Sequence, residues 1–262
     1  MRGGFLLPYR EIFRVPGAWR FSVAGIIGRM PISMFGLGTV LLISAGTGRY
    51  DIAGSVSAAG ALGMAACAPQ VARLTDSRGQ RTVLIPLVCL FALAVAGLIT
   101  AVTLGAPDWT LFVSGIVAGA SMPALGPMAR ARWSALLADE PRRLHTAFSV
   151  ESIADELCFV VGPATVTVLA TEVYPAAGVG AAAILCLVGT LWFASQRSTQ
   201  PTTNTHCPER ITASPPAPVP AALTAEAPGP VHAGETEEPA LAAENARRPL
   251  LAAPGLIVLL PV

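Results

Sequence analysis

VLIPLVCLFALAVAGLITAVTL, from Val83 to Leu104, holds no charged residue and is long enough to cross a ~30 Å hydrocarbon core as a helix. In lipid the backbone has no outside partner for its N–H and C=O groups, so such a run is helical. Outward from it, five more apolar segments are predicted as spans: Phe21–Ala45, Ile52–Ala72, Trp109–Ala129, Phe148–Ala170 and Pro175–Ala194. The whole chain agrees. Of its 262 residues 53 % are hydrophobic and 13 % charged, about half the charge of a soluble domain. The expected class is an all-α integral membrane protein. The first apolar segment exceeds a signal-peptide core and is followed by further spans, so it is read as retained.

Composition also excludes functions. The net charge of +1 offers no field for nucleic acid. Cys67, Cys89, Cys158 and Cys186 lie in apolar segments and Cys207 outside them, with no C-x-x-C spacing; they read as small helix residues. His145, His206 and His232 lie outside every span, so no intramembrane histidine–metal site is expected, and no cofactor is implied.

Trp19, Trp109, Trp133, Trp192 and Tyr174 fall at or just beyond predicted span ends, where interfacial aromatics are expected. All seventeen basic residues are arginine. They cluster in the tail (Arg2, Arg10, Arg14, Arg20), after span two (Arg73, Arg78, Arg81) and after span four (Arg130, Arg132, Arg142, Arg143). The alternate loops carry only Arg49. The positive-inside rule then predicts a cytoplasmic N-terminus in an inner (plasma) membrane. Residues 1–20 form the tail and 21–194 the six-helix bundle. Residues 195–248 are rich in Pro, Ala, Thr and Glu, as in Ser214-Pro-Pro-Ala-Pro-Val-Pro220, and predict a disordered cytoplasmic linker. Residues 249–262 are apolar but too short to span, and read as the start of a truncated seventh helix.

Between spans two and three the chain reads Ala72-Arg-Leu-Thr-Asp76-Ser-Arg-Gly79-Gln-Arg81-Thr-Val-Leu84. This resembles the loop signature of the major facilitator superfamily, G-x-L-x-D-R-x-G-R-[RK]. Leu74, Asp76, Gly79, Arg81 and Leu84 match, whereas Ala72, Ser77 and Gln80 depart; Arg73 and Arg78 stand nearby to supply charge. The resemblance implies the N-terminal six-helix bundle of a transporter of that type, with Asp76 in a gating contact. The residues alone also fit a solvated charged turn that sets topology. Gly162-Pro163 in span five is similar to the superfamily's antiporter motif, although Cys158, Val166 and Thr167 stand where it has glycines. The match implies export (efflux) by proton antiport; a plain helix kink is the other reading.

Charges inside spans are costly and face a bundle interior or a water-filled cavity. Span one holds Arg29, and span five holds Glu151, Asp155 and Glu156. Arg29 lies nine positions past Arg20, roughly 13 Å along a helix, and Asp155 eight past Ala147, a similar depth. Glu151 and Asp155 share a face, Glu156 points about 100° away, and Glu151 lies near enough to the cytoplasmic boundary to reach water. The expectation is an Arg29–Asp155 or Arg29–Glu156 pair that leaves one acid unpaired. This network is either a structural tie or a proton-coupling site. Small residues at Ala59, Gly63 and Cys67, and at Gly115 and Gly119, predict close approach of spans two and four. Ser121 and Met122 are candidates for substrate contact or packing.

The leading functional expectation is a secondary active transporter moving a small solute by alternating access, with protons as a possible coupling ion. An intramembrane aspartyl protease fails for want of a pair: Asp51 and Asp155 are at different depths, and no enzyme is expected. The alternative is a non-transporting or self-associating half-transporter fragment. The expected partners are the lipid bilayer, a small-molecule substrate, protons, and either a C-terminal half or a second copy of the chain.

Overall fold

Six helical rods, each long and apolar enough to cross a membrane, run through residues 12–200, which are the residues the computed structural model describes. Among the described residues there is no strand. The rods occupy all six predicted spans, and the protein is a multi-pass helical membrane protein. The predictions for most of the tail, for most of the linker and for the start of a seventh helix lie outside the described residues.

Span one is α1 (Ala18–Arg29) followed by α2 (Pro31–Thr47). Met30 between them keeps helical angles, so the rod is almost continuous. Span two is α3 (Tyr50–Arg78) and span three is α4 (Gln80–Thr103). Span four is divided into α5 (Asp108–Ser121) and α6 (Leu125–Leu136). Span five is α7 (Pro141–Val168) with a terminal π-turn, Leu169–Val173. Span six is α8 (Ala177–Ser195), and a 3-10 turn, Arg197–Thr199, follows.

The division of span four follows from Pro123. The residue before a proline is pushed out of the helical region, and Met122 is extended, with φ −66° and ψ 123°. The helix restarts only after Ala124. At the end of α3 the sequence reading needs correction. The motif region is not an open loop: α3 continues through Asp76 and Arg78, and Gly79 alone breaks the chain before α4 begins. Gly79 adopts φ 84°, which only glycine takes without strain, so a two-helix corner needs just one residue. Arg73, Asp76 and Arg78 consequently stand on the outer face of a rigid rod.

Two large apolar clusters and a small third one, Met34, Val166 and Ala182, fill the bundle. One gathers Phe35, Leu42, Ile43, Val56, Phe91, Val95, Leu98 and Leu111. The other gathers Phe21, Ala24, Leu84, Leu125, Met128, Trp133 and Phe193. Along span one the border falls between Ala24 and Phe35; along span four it falls at the Met122–Ala124 break. Arg29 lies at that border.

Close helix approach depends on glycine. The α3–α5 contact is the most extensive in the bundle. A Cβ on Gly119 would sit 1.9 Å from Gly60 O, and one on Gly63 would sit 2.8 Å from Ile116 O. Gly63, Gly115 and Gly119 therefore pack as the small-residue pattern suggests, but the deepest contact is made by Gly60, with Ala59 beside it.

Candidate functional site

Three helices each present two polar groups about one or two turns apart at the border between the clusters. On α1 these are Ser22 and Arg29, on α7 Glu151 and Asp155, and on α6 Arg130 and Trp133. Helical periodicity puts each pair on one face. The faces converge. Arg29, 2 % exposed, forms an ion pair with the fully buried Glu151 and a second with Asp155, Nη1 to Oδ1 at 2.7 Å. Its Nε donates to Gly25 O at 3.1 Å, which fixes the guanidinium against its own helix.

The two acids differ in their surroundings. Glu151 Oε1 accepts from Ser22 Oγ at 3.0 Å and from Trp133 Nε1 at 2.9 Å, while its other oxygen meets Arg29. Three donors enclose a carboxylate with no solvent exposure. Asp155 is 28 % exposed and lies between two guanidinium groups: Oδ1 on Arg29 and Oδ2 on Arg130 Nη2 at 2.5 Å. Glu156 is exposed and away from both.

Of the two pairings expected for Arg29, the one with Asp155 is present, and Glu156 is the acid left outside the network. The sequence reading is corrected in three places. Glu151 does not reach water, because Ser22 and Trp133 close over it. Arg130 and Arg132 are not loop residues, because α6 continues to Leu136. Trp133 is not an interfacial aromatic: it is fully buried, with its ring 4.9 Å from that of Phe21. Ending span four at Ala129 hid all three α6 residues.

Asp155, Arg29 and Arg130 form one end of a cleft of about 370 Å³. Its walls come from spans one, two, four and five, through Ile32, Met64, Ala68, Met122 and Phe159. Gly126 lies beneath the charges; a Cβ there would be 3.8 Å from Asp155 Oδ1 and 3.9 Å from each guanidinium. Of the two residues named for substrate contact, Met122 lines the cleft, whereas Ser121 is buried and turns its hydroxyl to Val117 O at 2.6 Å.

A second polar cluster centres on Arg132, which lies between Arg130 and Trp133 in sequence and points from another face of α6. Arg132 is fully buried with its Cζ 3.7 Å from the Phe193 ring centroid, and it donates to Gln80 Oε1, Thr199 Oγ1 and Phe193 O. Gln80 also donates to Met128 O. Gln80, one of the motif's departures, thus joins the start of span three to span four, and Thr199 ties the beginning of the predicted linker to the bundle. Carbonyls at the C-terminus of α8 suit a cation there. The other motif residues are placed differently. Arg73, Asp76 and Arg78 are exposed, Arg81 is half-buried, and none of the four has an ion-pair partner among the described residues.

Gly162 is buried against span one, where a Cβ would lie 2.0 Å from Ser33 Oγ. Pro163 lies within α7, which continues past it. No group of three or more potential metal ligands occurs among the described residues.

Six membrane-length helices, four of which wall a charged cleft, define a polytopic membrane protein. A family model described as Major Facilitator Superfamily matches residues 21–260, and the chain belongs to that superfamily. Neither the curated proteins nor the solved structures contain a match.

Proposed function

We propose that the chain moves a small solute by alternating access, with the cleft between spans one, two, four and five as its wall of the transport site and Asp155 as the coupling carboxyl. The observation that supports this is the unequal treatment of two acids one turn apart. Glu151 is enclosed by three donors; Asp155 opens to the cleft and changes two arginine contacts if it gains a proton. Membrane-embedded acids of this kind mark ion and substrate pathways. On this reading Asp76, Gly79 and Arg81, with Arg73 and Arg78, form the cytoplasmic gate: a rigid rod end presents unpaired charges that a neighbouring helix can take up in one state and release in another. The N-terminus is cytoplasmic in a cell inner membrane, as arginine placement indicates. Export rests on Gly162-Pro163 alone, and Gly162 has a packing reason, so the proposal carries coupling without direction.

The test needs no known substrate. A single cysteine at Ala120, on the cleft wall, is treated in sealed vesicles of both orientations with a membrane-impermeant maleimide. Alternating access predicts labelling from either side. Labelling from one side only contradicts it, and supports the reading as a non-transporting or self-associating fragment.

A further inference from the structure

We infer that this cleft takes a monoanion with an apolar body, and takes it when Asp155 is neutral. This deepens the transport-site reading above and rests on it.

The inference comes from the balance of charge at the cleft's polar end. Two guanidinium groups, Arg29 and Arg130, face two carboxylates, Glu151 and Asp155. With both acids ionised the set is neutral. Glu151 keeps its charge satisfied by Arg29, Ser22 and Trp133 whatever Asp155 does. Arg130, 36 % exposed, has Asp155 as its sole carboxylate among the described residues. A proton on Asp155 therefore leaves one net positive charge, and it leaves that charge on the guanidinium that opens to the cleft. The remaining surroundings do not offset it. Arg29 comes from α1 and Arg130 from α6, while α7 itself adds Glu151 and the thiol of Cys158. Span two adds Met64, Ala65, Ala68 and Val71, none of which carries charge.

A guanidinium released from a carboxylate is a ready site for another planar or tetrahedral oxyanion. The rest of the cleft is apolar, lined by Ile32, Met64, Met122 and Phe159, so the body of the ligand is apolar too. About 370 Å³ holds roughly a dozen water-sized groups at ~30 Å³ each. The proton on Asp155 and the anion beside Arg130 then load as a neutral pair, with the proton drawn from the aqueous side that the cleft faces. That is symport chemistry. A cationic solute would have to compete with two arginines for one aspartate.

The experiment uses the full chain with its five native cysteines changed to serine and one cysteine placed at Ala68. The sulfonate-bearing and trimethylammonium-bearing methanethiosulfonates, matched in size and opposite in charge, are timed against it. Asp155→Asn stands for the neutral acid. The expected result is a rise of about tenfold in the anionic-to-cationic rate ratio, the scale of one unit charge at close range in a partly wet site. Benzenesulfonate should slow the reaction in Asp155→Asn, and adding Arg130→Gln should abolish both effects. An unmoved ratio, or protection by benzyltrimethylammonium instead, overturns the anion inference and leaves the transport site standing. Failure of either reagent to reach the cysteine from either side overturns the transport site as well. If Asp155→Asn does not fold, Arg130→Gln alone carries the test: the ratio should fall about tenfold, and an unchanged ratio overturns the inference.

Discussion

Arg29 is held by a carboxylate on each side and by its own helix, and that determines what its loss should do. Removing one partner from a buried ion pair leaves an uncompensated charge and costs ~3–5 kcal/mol, whereas replacing the pair together is often close to neutral. Arg29→Leu should therefore lower the unfolding midpoint in mixed micelles by that order, and Arg29→Leu with Glu151→Leu should regain most of it. Asp155 keeps Arg130 in both variants, so it adds little to the difference. If the double variant is no more stable than the single one, Glu151 is not the acid that holds Arg29. Trp133 belongs to the same set. Its indole N–H fills a position on Glu151 that would otherwise leave a buried carboxylate oxygen short of a donor.

At the scale of elements, glycine positions determine how near the helices lie. A side chain at Gly119 would overlap the backbone at Gly60, and backbone cannot rotate away. Gly119→Val should destabilise the bundle by ~3 kcal/mol or more, at the upper end of overpacking costs. Gly54→Ala, on the exposed side of the same α3 with nothing within 4 Å, should be neutral or stabilising by up to ~1 kcal/mol. Equal effects in a thermal or denaturant series would contradict backbone-to-backbone packing of spans two and four. Element existence was readable because apolar runs of about twenty residues have one solution in lipid. The ends were not readable, because hydropathy stops where charge begins while the helix continues. Arg132 shows why: on composition it is a loop arginine, but two phenyl rings and the carbonyls of α8 bury it. Arg29, Glu151 and Asp155 were legible as charges out of place, while Arg130 and Trp133 took a tertiary contact to find.

Over the whole described bundle, buried polar groups form two clusters on different faces of α6. The Arg132 cluster ties spans three, four and six and the start of the linker together. The Arg29 cluster ties spans one, four and five near the border between the two large apolar clusters, where span four is also broken. A charged cluster inside the bundle beside an interrupted helix is an arrangement in which a bundle can bind a polar solute away from both membrane faces. On the proposed function the two acids of that cluster do different work: Glu151 holds the helices, and Asp155 faces the cleft and changes state. The most direct test compares the unfolding midpoints of Glu151→Gln and Asp155→Asn in the same micelles. Glu151→Gln is expected to lose several kcal/mol, ~3 or more, while Asp155→Asn, partly exposed and with Glu151 still on Arg29, stays within ~1 kcal/mol of the parent chain. Equal and large losses in both would contradict that division, and would make the network a structural tie with no acid set apart for transport.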